Sequence, residues 1–146
     1  MRRWLLIAAV VVGSCGGGPP APADLATGQD ACAQCRMTVV SRSTAAQIAR
    51  RGDEPVFFDE IACLRDYLRH SPLPGDALVY VADHRTGAWV NARDAVFTRT
   101  SVSTPMASGY LAHAGVASRD ADPEAAGGTP AAVSDILGSM ARSPAP

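Results

Sequence analysis

The apolar positions of this chain begin with an unbroken run, Trp4–Val12, set directly behind Arg2 and Arg3. A helix needs roughly 20 apolar residues to cross a bilayer, so the run is too short to span one. It has the form of a secretory signal, with a basic start, an apolar middle and small residues at Gly13-Ser14. Beyond it the pattern breaks into short segments. Thr38-Val39-Val40, within Met37–Arg42, predicts a strand, and Ala45–Ala49 predicts its return after a turn at Ser41-Arg42-Ser43. Arg51-Gly52-Asp53 is a second turn, and Val56-Phe57-Phe58 a short buried strand. Asp59 fits a helix N-cap and Glu60 the first turn, while Ile61, Leu64 and Leu68 recur at helical spacing until Ser71-Pro72. Cys63, Tyr67 and His70 lie on a neighbouring stripe of that helix.

The second half reads in the same way. Ala77–Ala82 is a strand, Asp83–Gly87 a turn, and Ala88-Trp89-Val90 the returning arm of a hairpin. Ala95–Thr98 and Tyr110–Ala114 are strands on either side of the loop Thr104–Gly109. Asp122–Ala126 is a short helix ended by Gly127-Gly128, Ala131-Ala132-Val133 a strand, and Ser134 the cap of a last helix through Met140. Strands, helix, strands and helix in that order predict an α+β fold. Pro55–Ile61 and Ala131–Ile136 both lead a short strand into a capped helix, a weak internal repeat. Phe57, Phe58, Tyr80 and Trp89 read as core, His70 and His84 as surface, and His113 as a half-exposed polar residue.

Composition divides the chain further. Gly16–Thr27 is rich in Gly, Pro and Ala and reads as a tether. The expected organisation is a signal over residues 1–14, a tether over 15–29, one domain over 30–142 and a short tail over 143–146. Removing residues 1–14 takes away two arginines and leaves 11 basic against 14 acidic residues, a formal charge of −3. With no basic patch, nucleic acid is not an expected partner. No phosphate-binding glycine loop, G-x-S-x-G or H-E-x-x-H motif is present, and no catalytic residue is assigned.

The sulfur atoms carry the chemistry. Val12-Gly13-Ser14-Cys15 resembles a bacterial lipobox, which places a lipid on Cys15 and the domain on the outer side of a membrane. Cys32, Cys35 and Cys63 remain, an odd number in an oxidising compartment, which leaves a free thiol or a metal-bound set. Met37 follows Cys35 by two residues, so in an extended segment both side chains share a face. Met106 lies in a proline-containing loop, where a rigid scaffold commonly presents functional groups. Thiolates and thioethers together select Cu(I). Cys35, Met37 and Met106 are the first candidate ligands, Cys32 is an alternate ligand or a disulfide partner, and Cys63 is a ligand or a core residue.

Several segments, in order, resemble the NosL family of nitrous-oxide-reductase accessory lipoproteins. They are the lipobox at Cys15, Cys32–Met37, Ala46-Gln47-Ile48, Phe58–Leu64, Tyr80–Asp83, Trp89–Ala92 and Thr104–Gly109. The resemblance implies two related β-rich halves, each with short antiparallel strands and a helix, similar to organomercurial lyase. It also implies a membrane-anchored Cu(I) chaperone, with apo nitrous oxide reductase as recipient and an upstream copper donor. The family pattern is Cys-Gly-Met, and Arg36 stands here in place of the glycine. An arginine strains the loop where the backbone turns left-handed, and its cation stabilises neighbouring thiolates. Two other functions fit the residues alone: a thiol–disulfide oxidoreductase using Cys32 and Cys35, and a structural zinc site of Cys32, Cys35, Cys63 and a histidine.

Overall fold

The computed structural model describes residues 18–142. The signal over 1–14, the lipid site at Cys15 and the tail over 143–146 lie outside the described residues. Among those described, no helix is long and apolar enough to cross a membrane.

The fold is α+β and is built from two antiparallel sheets. The first has four strands, β1 (Ala46–Ala49), β2 (Val56–Phe58), β3 (Leu78–Ala82) and β4 (Trp89–Asn91), in the order β2-β1-β3-β4. Helix α1 (Ile61–His70) follows β2. Residues paired across strands share a face, so Ile48 with Val56 and Val79, and Ala46 with Phe58 and Val81, make one apolar surface. Helix α1 covers that surface, with Tyr67 edge-on to Phe58 at 5.1 Å between ring centroids. The opposite face carries Gln47, Tyr80 and Trp89, which the paired registers place together.

A buried glutamine in a central strand needs partners, since an unpaired amide costs about 1–3 kcal/mol. Gln47 finds them in the Gly/Pro-rich segment: its Oε1 accepts the Ala23 N–H at 2.8 Å and its Nε2 donates to the Ala23 carbonyl at 3.0 Å. Trp89 donates to the same carbonyl at 3.1 Å, and the Tyr80 hydroxyl to the Pro20 carbonyl at 2.7 Å. Tyr80 and Trp89 are therefore half-buried residues with polar tips on the N-terminal segment, whereas Phe57 and Phe58 are core as expected.

The second sheet has three strands, β5 (Val96–Arg99), β6 (Tyr110–His113) and β7 (Thr129–Ala131), in the order β6-β5-β7. Pro130 pairs with Thr98 in the edge strand β7, where a residue without an N–H is tolerated. Helix α3 (Val133–Leu137) follows β7 as α1 follows β2, and the two helices pack on each other. Between β6 and β7 lie helix α2 (Val116–Asp120) and a 3₁₀ turn at Pro123–Ala125.

Four local expectations are corrected. Thr38–Val40 is not a strand beside β1. The Val39 backbone instead bonds Asp30 and Gly28, and Arg42–Thr44 winds into a 3₁₀ turn, so β1 pairs with β2 and β3. Asp59 does not cap α1; Glu60 holds the N-cap position and neither side chain makes a cap bond. The last strand is Thr129–Ala131 and α3 starts at Val133, because the Ala132 N–H is taken by the Asp135 carboxylate at 3.0 Å. Helix α2 lies where no helix is expected; it buries no residue, so it leaves no apolar periodicity to read.

Asp83, at the end of β3, ties the sheets together. It is 1% exposed. Its Oδ1 accepts N–H bonds from Arg85 at 3.1 Å and Thr86 at 2.9 Å and the Thr86 hydroxyl at 2.9 Å. Its Oδ2 accepts the Ala114 N–H and the Ser118 hydroxyl, both at 2.7 Å, reaching the end of β6 and helix α2. The next residue continues the tie, as the His84 N–H donates to the Ala112 carbonyl at 2.8 Å. Burial pushes the Asp83 carboxyl up, but these donors outweigh burial and hold it well below the usual carboxylate range. The unfolded chain therefore takes up the proton first. The stabilisation is complete above about pH 4 and is lost as the pH falls toward the folded-state value. Asp83→Asn is expected to cost about 2–3 kcal/mol at neutral pH and to flatten the acid limb of the stability curve. Denaturant unfolding at a series of pH values checks both, and an unchanged acid limb would refute the assignment to Asp83.

Candidate metal centre

Cys32 opens a tight turn. Its N–H donates to the Met37 carbonyl at 2.8 Å, and its carbonyl accepts the Arg36 N–H at 3.0 Å. Closing the turn puts Arg36 at φ 66°, the left-handed region that costs a non-glycine residue about 1–2 kcal/mol. Cys35-Arg36-Met37 is thus bent, and the extended geometry expected for Cys35 and Met37 is corrected. Cys35 turns inward and is partly buried, while Met37 is 53% exposed.

Cys63 sits in the first turn of α1. The sulfurs of Cys32, Cys35 and Cys63 lie within 4.8 Å of one another, and all three are free thiols. Cys32 and Cys63 are buried. Cys63 thus stands beside the turn, the ligand-side placement of the two open in the sequence. Met106 joins from the other half of the molecule: Cys35, Cys63, Glu60 and Met106 line one cleft of about 390 Å³. Arg65, Arg99 and Tyr110 border the same cleft. Met37 does not line it; its carbonyl closes the Cys32 turn.

The thiols do not ionise alike. A hydrogen bond from the Cys63 thiol is the largest effect holding the Cys32 thiol down, against burial. Backbone N–H groups of Cys35, Asp59 and Gln34 also aim at that sulfur. The same bond, with burial, pushes Cys63 up, and burial pushes Cys35 up. The three soft ligand groups converge on one point.

Two buried carboxylates stand beside it, Asp59 and Glu60, which the sequence places at the start of α1 and not at the sulfur atoms. Asp59 Oδ1 accepts the Val40 N–H at 3.0 Å and fixes the segment after Met37. Glu60 Oε2 accepts the Met106 N–H at 3.2 Å and fixes the loop of the other half. Both residues are fully buried, and Asp59 Oδ2 and Glu60 Oε1 have no protein partner. Burial pushes the Asp59 carboxyl up; the Val40 bond opposes this, and the charges of Cys32 and Glu60 add to it.

The Met106 loop is closed by its own chemistry. Thr104 Oγ1 accepts the N–H groups of Ser108 at 3.0 Å and Gly109 at 3.1 Å. Gly109 has φ 68°, and a Cβ there would lie 2.2 Å from the Thr100 carbonyl oxygen, so only glycine fits.

The histidines also depart from expectation. His113 is fully buried rather than half-exposed, and the His84 ring is only 10% exposed, because both bond the buried Asp122 carboxylate. His70 is exposed, as expected. No histidine joins the cysteine cluster as a ligand group within that 4.8 Å span.

Comparison with protein-family models, with curated proteins and with solved structures finds no match to this chain. The cysteine cluster can bind a metal ion on geometry alone.

Removing the Glu60 carboxylate is expected to free the Met106 loop. Glu60→Ala should speed hydrogen exchange at the Met106 amide and cost about 1–3 kcal/mol, leaving the Cys32 amide protected. Exchange at the wild-type rate would mean that Glu60 does not hold the loop.

Proposed function

We propose that this protein is an envelope copper chaperone that binds Cu(I) through its thiols and the Met106 thioether and passes it to an apo-enzyme. The single observation carrying the reading is that Cys32, Cys35 and Cys63 converge while Met106, from the other half, lines the same cleft. A set of thiolate and thioether donors favours Cu(I) over harder ions. The neighbouring Cys63 thiol holds the Cys32 thiol down, which favours Cys32 as a thiolate ligand. Cys35 and Met106 lie where a metal can be reached from solvent, since both are partly exposed, so ligand exchange with a partner is sterically open. Anchoring by a lipid on Cys15 and nitrous oxide reductase as recipient belong to this proposal through the resemblance to NosL, as do the paired β-rich halves and an upstream copper donor.

Alternative thiol chemistry fits less well. Cys32 is the thiol whose pKa is held down, but it is fully buried, and an exchange reaction needs the attacking sulfur to be accessible. A structural zinc site lacks a fourth protein ligand of its usual kind, as no histidine lies in the cluster.

X-ray absorption on the copper-loaded protein is expected to show sulfur-dominated coordination, and a shell of nitrogen and oxygen alone would overturn the proposal. Met106→Ala should weaken copper binding at least about tenfold, the scale on which even outer partners of a metal site act. Because Met106 is 47% exposed, its stability cost should stay within about 0.5 kcal/mol. Cys63→Ala is the complementary variant and should lower both affinity and stability. A Met106→Ala variant with full copper affinity would remove the thioether from the site.

A further inference from the structure

The second cluster of the molecule lies away from the sulfur atoms, where the first sheet's hairpin turn meets the second sheet. We propose that His84, His113 and Asp122 form a separate site for a borderline divalent cation of the zinc type. Their ligand atoms lie within 4.8 Å of one another. His84 Nδ1 is 2.8 Å and His113 Nε2 2.9 Å from the same oxygen, Asp122 Oδ2. The three groups come from the turn after β3, the end of β6 and the segment after α2, so the fold converges them from three directions.

Three further features fit a cation better than a plain hydrogen-bond cluster. First, the groups are buried, with side-chain exposures of 10% for His84, 0% for His113 and 5% for Asp122. Two imidazoles and a carboxylate are the donor set of many zinc centres. Secondly, His84 turns its other nitrogen, Nε2, to Glu124 Oε2 at 3.3 Å. A carboxylate behind a ligating histidine fixes its tautomer and raises its basicity. Thirdly, Asp122 and the unpartnered buried hydroxyl of Thr98 both line a cavity of about 260 Å³. The cavity reaches the site at Asp122 and is lined by neither histidine.

The geometry needs little adjustment. A tetrahedral zinc at 2.0–2.2 Å from its ligands spaces them about 3.3–3.6 Å apart. Opening the two contacts at 2.8 and 2.9 Å to that spacing moves each group by under about 1 Å. Metal binding at these nitrogens moves each ring proton to the other nitrogen, His84 Nε2 facing Glu124 and His113 Nδ1, and leaves Asp122 Oδ1 on the Glu124 N–H at 3.0 Å. Nitrogen and oxygen donors here, against sulfur at the other cluster, suit two unlike metals.

The test uses untagged chain with ¹⁵N-labelled histidine, titrated anaerobically with Zn²⁺ alone until binding saturates. The expected result is that the imidazole resonances of His84 and His113 move together, while exposed His70 serves as an unmoved reference. Zinc K-edge absorption should then show nitrogen and oxygen distances of about 2.0–2.2 Å beside any sulfur shell at about 2.3 Å. Asp122→Asn should lose that zinc from the stoichiometry, and Glu124→Gln should weaken it about 10–100-fold. Unmoved His84 and His113 resonances in the wild-type chain, or equal zinc content in a folded Asp122→Asn protein, would overturn the proposal. The resonance experiment needs no variant, so a misfolded mutant does not remove the test. Cys35→Ser separates this site from the sulfur cluster: it should leave the histidine response intact.

Discussion

Two adjacent buried carboxylates, Asp59 and Glu60, are the constraint on which the candidate centre depends. They stand between the end of β2 and the start of α1, and they reach in opposite directions. Asp59 holds the backbone after the cysteine turn through Val40, and Glu60 holds the Met106 loop across 46 residues of sequence. Burying an acid is costly, because desolvation opposes its charge, and at Asp59 the charge of Glu60 adds to that. The fold accepts that cost where each acid supplies a bond that nothing else in the loop provides. A cation at the neighbouring sulfur atoms would relieve the repulsion, so the position of the pair and the chemistry of the cluster support each other.

The rest of the fold keeps these loops at a fixed separation. Helix α1 carries Cys63 and packs on β1, β2, β6 and α3, so it touches both halves. Asp83 and His84 bind the hairpin turn of the first sheet to the end of β6. Gln47 does similar work on the far face, converting what composition alone describes as a tether into a segment docked by Ala23. The sulfur ligands themselves sit on loops, but each loop is fastened at a named backbone group.

How much of this was legible in the sequence varies with the physics of each part. Helix α1, the β3–β4 hairpin and β5 follow their apolar spacing because burial of those side chains is what forms them. Thr38–Val40 has strand composition, yet its hydrogen bonds go to Asp30 and Gly28, partners that no local pattern reveals. Helix α2 has no buried residue and so no periodic signal. The pairing of Cys63 with Cys32 and Cys35 is tertiary, which is why Cys63 stood evenly between ligand and core. His84 and Asp122 are 38 residues apart, and each looks like an ordinary surface residue until the second sheet folds against the first. Soft ligands were recognisable by residue type, whereas the carboxylates that position them were not.

The left-handed residue at the tip of the cysteine turn has a thermodynamic consequence of its own. Arg36 at φ 66° is strained in the folded chain by about 1–2 kcal/mol. A glycine would remove that strain but would enlarge the conformational freedom of the unfolded chain, which costs about 0.4–1 kcal/mol in return. The two effects oppose each other, so the backbone discriminates only weakly between the residues. What remains distinct is a solvent-exposed positive charge at the tip of the cysteine turn, a place where it can steer an acidic surface. Choice of side chain at this tip is therefore a means of tuning encounter rates with little penalty in folding free energy.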